Sequence, residues 1–123
     1  MLIYVDSSLL LDDIIDDRPL LPELVQRAEL ATSQITSLEI ARTLRRDTKE
    51  TDFTSISSQL LSSFDLLSLT PPVLEAAAAL PVRFLRTLDA IHLASALFVS
   101  ADVVLTRDHQ MQRACEELGL AVA

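Results

Sequence analysis

Short apolar or β-prone runs, three or four residues long, alternate along this chain with longer stretches of helical pattern. That alternation restricts the fold more than any other feature. The strand candidates are Leu2–Val5, Gln34–Thr36, Leu66–Leu69, Val103–Thr106 and Leu120–Val122. Between them, helical patterns cover Ser8–Ile15, Pro22 to about Ala31, Ser37–Lys49, Asp52–Ser63, the alanines 76–79, Leu88–Leu97 and Asp108–Leu118. Leu2–Val5 is apolar without interruption, as a strand covered on both faces must be. Strands that alternate with helices predict a three-layer α/β/α domain with a short-stranded, mostly parallel sheet. Right-handed crossovers place helices on both faces of such a sheet. The 123 residues suit one domain, 1–123, and Gly119 is placed to end the last helix.

Composition narrows the chemistry. Only one glycine is present, so glycine-rich phosphate loops and dinucleotide fingerprints are excluded. One cysteine and two histidines cannot build a usual structural zinc site, so a metal here has to be held by oxygen. The lone Cys115 allows no internal disulfide, which fits a reducing cytoplasm. No apolar run approaches the roughly 18 residues of a membrane span, and the first residues lack the features of a signal peptide. A net charge of −8 argues against coating nucleic acid by charge alone.

Ligands in parallel α/β sheets collect beyond the carboxyl ends of the strands. Four acids stand there or in the first turn of a following helix: Asp6, Glu39, Asp89 and Asp108. Each also has a structural reading. Asp6 and Asp108 can be N-caps, and Thr36-Ser37-Leu38-Glu39 fits a capping box with Glu39 reaching back to the Thr36 amide. Asp89 can be a cap or a dipole partner. Yet serine, threonine and asparagine cap as well as aspartate does, and Asp89 lies in a stretch whose neighbours imply burial. An unpaired buried carboxylate is costly. A Mg²⁺ or Mn²⁺ site gives the acids a common purpose, because these cations prefer carboxylates and water.

The segments IYVDSSLLL, ITSLEIARTL, LRTLDAIHLASAL and VVLTRDHQMQRACEELGLAV resemble, in order and spacing, the four motif regions of PIN domains. The resemblance is closest to VapC-type toxins of bacterial toxin–antitoxin pairs and covers essentially the whole chain. It implies an acidic active site of Asp6, Glu39, Asp89 and Asp108, with all four as metal ligands, and supporting hydroxyls from Ser8 and Thr106. It further implies a Mg²⁺- or Mn²⁺-dependent endoribonuclease that arrests translation, usually as a homodimer, silenced by a VapB-type antitoxin that covers the acidic groove. The alternative is a non-catalytic module whose acidic pocket receives a partner's arginine. A haloacid-dehalogenase-type phosphatase would need an acid where Ser8 stands, and a receiver domain a lysine near the chain's end, whereas the only lysine is Lys49.

Arg42, Arg46 and Lys49 follow Glu39 at offsets of three, seven and ten residues, which reads as one helix face. That row is either an RNA-guiding surface or a solvated face. Arg83, Arg86 and Arg107 lie near the acidic segments and carry the same two readings. His92 is expected to hydrogen-bond structurally, and no role falls to His109. Asp12, Asp13, Asp16 and Asp17 crowd the end of the first helix, either as a soluble face or as the rim of a groove lined by Leu20, Leu21 and Leu24, where an antitoxin helix docks.

Overall fold

The computed structural model describes residues 1–15, 21–49 and 51–123. In chain order the elements are β1 (Leu2–Val5), α1 (Ser7–Ile15), α2 (Leu21–Arg27), β2 (Glu29–Ser33), α3 (Gln34–Asp47), α4 (Phe53–Leu60), β3 (Phe64–Leu67), α5 (Pro71–Ala78), α6 (Thr87–Phe98), β4 (Val103–Leu105) and α7 (His109–Glu117). The strands form one sheet in the order β3-β2-β1-β4. Every pairing is parallel, with Tyr4 opposite Ala31 on one side and Val104 on the other. Val122 adds a single parallel bridge beside Val104, in place of the fifth strand expected at Leu120–Val122.

The alternation along β1 divides the core. Ile3 and Val5 pack with Leu9, Leu10, Leu30, Ile40, Leu44, Leu61 and Phe64 on one face of the sheet. Tyr4 packs with Val82, Leu93, Val104, Met111, Ala114 and Cys115 on the other. Residues of α1 and α3 fill the first core, and residues of α6 and α7 fill the second. This is the expected three-layer α/β/α arrangement. Among the described residues, no helix is long and apolar enough to cross a membrane.

The strand order places the functional end. From β1 the chain moves outward to β2 and β3, then returns across the sheet to β4 on the opposite side of β1. The crevice beyond the carboxyl ends of β1 and β4 is therefore the topological switch point, where such sheets bind ligands.

Among the described residues, two helices end on residues in the left-handed region. Gly119 (φ 73°) follows α7, with Leu120 N–H donating to Cys115 O and Gly119 N–H to Glu116 O, which is a Schellman stop. Ser100 (φ 54°) ends α6 with the same pair of bonds, Ala101 to Ala96 and Ser100 to Leu97. Serine carries a Cβ that this conformation disfavours.

The largest departure from expectation is around β2. The helix opened by Pro22 was expected to run to about Ala31, with Gln34–Thr36 as the strand. Instead α2 stops at Arg27, Glu29–Ser33 is the strand, and Gln34 begins α3. Glutamate, leucine and alanine favour helix locally, but this segment lies between β1 and β3 and completes both ladders. Pairing on both edges overrides local propensity.

Candidate active site

Asp6 immediately follows β1. Its backbone N–H donates to Leu105 O at 2.9 Å, carrying the β1–β4 ladder one residue further and bringing Asp6 beside Thr106. The side chain is 3% exposed, so its charge needs partners inside the protein. Thr106 Oγ1 donates to Asp6 Oδ2 at 2.7 Å, and Ser8 Oγ donates to the same oxygen at 2.8 Å. The two hydroxyls in turn accept backbone N–H groups, Ser8 from Arg107 and Thr106 from Asp108, each at 3.0 Å. Both hydroxyl protons are thus engaged, and the 3.2 Å approach of Ser8 to Thr106 is a contact, not a further bond. One carboxylate oxygen of Asp6 is pinned, and Oδ1 faces His92.

Asp108 caps α7, its Oδ1 accepting from Gln110 N at 2.8 Å and Met111 N at 3.2 Å. The capping reading is correct for this residue, and the cap engages only one carboxylate oxygen. Asp89 is not a cap. Arg86 occupies that position, and Asp89 is the third residue of α6, in the first turn where the dipole favours an acid. Asp89 and Asp108 line a cavity of about 400 Å³ together with Phe84, Arg86 and Gln110. Burial first, then the charges of Asp108, Asp6 and Glu39, raise the Asp89 pKa above the ordinary aspartate value, against the opposing pull of His92. The folded site therefore resists full ionisation, as a group of converging carboxylates does.

Glu39 comes from α3, but not from its first turn. Ser33 is the N-cap, its Oγ accepting Ile35 N–H at 3.2 Å, so Glu39 lies in the second turn. The Thr36–Glu39 capping box is absent. Thr32 Oγ1 donates to Val5 O at 2.7 Å, which leaves Thr36 as the donor in its 2.7 Å bond to Thr32 Oγ1. Glu39 reaches the other way and accepts from His92 Nε2 at 2.5 Å. The expectation that His92 bonds structurally is met, and its partner is one of the four acids.

The structure therefore gathers Asp6, Glu39, Asp89 and Asp108 around the ends of β1 and β4, with Ser8 and Thr106 supporting Asp6. The basic row is gathered only in part. Arg42 is exposed and lines a cleft of about 290 Å³ with Glu39, Leu11, Ile35, Leu38 and Leu88. Arg46 forms a two-bond ion pair with Asp47, at 2.8 and 3.1 Å. Lys49 lies past the C-cap Thr48 and so off the helix, because α3 ends at Asp47. Arg107 faces Asp12 at 3.4 Å, an exposed pair of small energetic weight. Of the proposed leucine groove, Asp16, Asp17 and Leu20 lie outside the described residues. Leu24 is partly buried and packs against the first core.

Sequence reasoning missed Tyr4. Its hydroxyl bonds His92 Nδ1 at 2.7 Å, and nothing in a buried strand run announces a partner 88 residues away. Gln110, which borders the cavity, carried no distinguishing signal either, whereas Arg86, noted from the sequence for its place near the acids, lines the same cavity.

The donor set is entirely carboxylate and hydroxyl oxygen, which fits a hard divalent cation. Among the described residues, no three His, Cys, Asp or Glu side chains stand close enough together to hold one ion directly. Asp6, Glu39 and Asp108 are each partly engaged by protein donors. A Mg²⁺ ion usually keeps several waters and takes only one or two carboxylates. The site suits a hydrated ion better than a closed cage.

Comparison with known proteins agrees with this fold. The family model for the PIN domain matches residues 3–117. Ribonuclease VapC47 of Mycobacterium tuberculosis (strain CDC 1551 / Oshkosh) is 31% identical, covering 99% of this chain and 96% of its own length. Ribonuclease VapC35 of the same strain is 32% identical, with 98% and 95% covered. Among solved structures, VapBC2 from Rickettsia felis, bound to a DNA fragment from its promoter, superposes with a TM-score of 0.78 at 15% identity over 100% of this chain and 98% of that one. VapBC-1 from nontypeable Haemophilus influenzae gives 0.75 at 15% identity over 100% and 97%. At such identities the structural likeness bears on the fold alone.

Proposed function

Because this chain belongs to the PIN-domain family, among the VapC ribonucleases, we propose that it is a Mg²⁺- or Mn²⁺-dependent endoribonuclease, the toxin of a VapBC-type pair that arrests translation. The observation that carries this reading is the meeting of four acids near the switch point of the sheet, where burial first, and then the charges of Asp108, Asp6 and Glu39, raise the Asp89 pKa above its ordinary value.

Asp6, Asp89 and Asp108 would hold a hydrated cation, one or two of them directly and the rest through its waters, with Glu39 acting directly or through water. A divalent ion bound there would polarise the scissile phosphate and ease deprotonation of the attacking water. The protein's own contribution is positioning. Ser8 and Thr106 fix one oxygen of Asp6 so that the other keeps its direction. The α7 cap does the same for Asp108. The apolar face of α6, through Leu93 and Ala96 in the second core, anchors the helix that presents Asp89. Attack of water on phosphorus breaks the bond to the 3′ oxygen, which takes up a proton, leaving a 5′-phosphate and a 3′-hydroxyl. RNA would be the substrate, a VapB-type antitoxin the partner, and a homodimer the working form.

A second reading draws on the protein donors already satisfying Asp6, Glu39 and Asp108. In it, the acidic pocket receives a partner's arginine and performs no chemistry. Incubating the purified protein with RNA, in Mg²⁺ and in EDTA, separates the two. The nuclease reading expects cleavage in Mg²⁺ that EDTA abolishes and that Asp6→Asn lacks. No cleavage of any RNA, or cleavage indifferent to EDTA, refutes it.

A further inference from the structure

His92 is a buried side chain beside the site, held at both ends of its ring. It is 1% exposed, and both ring nitrogens are engaged. Nε2 lies 2.5 Å from Glu39 Oε1 and 3.6 Å from Asp6 Oδ1. A carboxylate can only accept, so Nε2 carries the proton. Nδ1 meets the Tyr4 hydroxyl at 2.7 Å, with the two rings edge to face at 5.9 Å between centroids. Tyr4 is fully buried in the central strand. A phenol is protonated at neutral pH, so its hydroxyl can donate to Nδ1.

The result is a chain of hydrogen bonds running from β1 through α6 to α3. Tyr4 holds His92, and His92 holds Glu39. Asp89 and His92 are three residues apart on α6, so the helix that presents the one acid also carries the group that grips another. His92 is not a ligand, because neither nitrogen has a free lone pair to offer. Nor is it a general base, because the nitrogen facing the acids already bears a proton. A purely structural histidine would not need to meet a site carboxylate. This one takes Oε1 of Glu39 and leaves only Oε2 for the crevice.

Resting on the nuclease reading above, we propose that His92, anchored by Tyr4, is a positioning residue. It holds Glu39 by one oxygen and spaces it from Asp6, so that Glu39 acts through its other oxygen on a water instead of joining Asp6 on the same ion. Metal sites commonly depend on such supporting partners.

The test compares Tyr4→Phe, which removes one oxygen atom, with His92→Gln and with Asp6→Asn. Cleavage kinetics on RNA and Mn²⁺ affinity by calorimetry are measured for each, together with a double-mutant cycle for His92→Gln and Glu39→Ala on unfolding in EDTA. Tyr4→Phe and His92→Gln are expected to lower kcat about 10- to 100-fold, with KM and Mn²⁺ affinity unchanged, whereas Asp6→Asn loses Mn²⁺. Mn²⁺ affinity falling in step with kcat in the Tyr4 and His92 variants, or kcat unchanged in both, overturns the proposal. If the wild-type protein cuts no RNA, the nuclease reading fails by itself and the metal-free cycle decides. Non-additive unfolding effects support the His92–Glu39 coupling, and additive ones refute it. Should His92→Gln not fold, Tyr4→Phe and a Tyr4–Glu39 cycle carry the same decision.

Discussion

Replacing Asp89 with asparagine should stabilise the metal-free protein while removing its response to metal. The two effects have opposite signs and one cause. Asp89 is half-buried in the first turn of α6 with Asp108, Asp6 and Glu39 around it, and its pKa is raised. A carboxylate whose folded pKa is raised binds its proton more tightly when folded. Ionising it near neutral pH therefore costs stability. Asparagine keeps the shape and removes the charge. Relief of such repulsion is worth about 0.5–2 kcal/mol. The lost interaction with the helix dipole returns roughly 0.3–1 kcal/mol. The first effect prevails, because the neighbours' net influence on the ionised form is unfavourable. A gain near 1 kcal/mol corresponds to about 3–6 °C in Tm for a chain of this size. Mg²⁺ at a hundred times its Kd adds about 2.7 kcal/mol to a protein that binds it only when folded, and Asp89→Asn should lack most of that. Thermal unfolding by far-ultraviolet circular dichroism, in EDTA and in saturating Mg²⁺, measures all four conditions. The expected order is wild type with Mg²⁺ highest, the variant intermediate and indifferent to Mg²⁺, and wild type in EDTA lowest. A variant less stable than wild type in EDTA, or one that keeps the full Mg²⁺ shift, would refute the reasoning.

Further predictions concern the supports and the helix ends. Thr106→Val removes a buried donor to the Asp6 carboxylate and the acceptor of the Asp108 N–H, and should cost about 1.5–3 kcal/mol, more than Ser8→Ala at its half-buried position, in urea unfolding. Ser100→Gly relieves the Cβ strain at φ 54° and should stabilise by about 0.5–1 kcal/mol, whereas Gly119→Ala at φ 73° should destabilise by about 1 kcal/mol, both read from urea midpoints. For His92, burial lowers the pKa, but the hydrogen bond to Glu39 and the charges of Asp6, Glu39 and Asp89 outweigh it, and the net shift is upward from 6.5. In EDTA its stabilisation is thus complete below about 6.5 and fades as pH rises through the folded pKa. A Tm in EDTA that climbed through that window would contradict this assignment.

How much of this was legible in the sequence depended on whether local pattern or distant pairing decides each residue. Leu2–Val5 read as a strand because an unbroken apolar run of that length has few other uses, Val103–Thr106 because it is short and β-prone, and an acid beyond each run then stood where the sheet opens. Gly119 announced the end of α7 by itself. Glu29–Ser33 did not read as a strand, since its strand character comes from β1 and β3, which local propensity does not register. The same shift moved Glu39 into the second turn and dissolved its capping box. Asp108 shows that the structural and functional readings of one residue need not compete, because the cap engages one carboxylate oxygen. The Tyr4–His92–Glu39 chain was invisible, since hydrogen bonds between residues 88 and 53 positions apart leave no periodic trace.

Anomalous diffraction from crystals soaked in Mn²⁺ tests whether these acids hold a cation at the switch point of the sheet. One or more Mn²⁺ peaks are expected in the crevice beyond β1 and β4, beside Asp6 Oδ1, Asp89 and Asp108, and their loss is expected in Asp89→Asn crystals. Mn²⁺ bound only elsewhere, or a crevice that stays empty in saturating Mn²⁺, would contradict that placement.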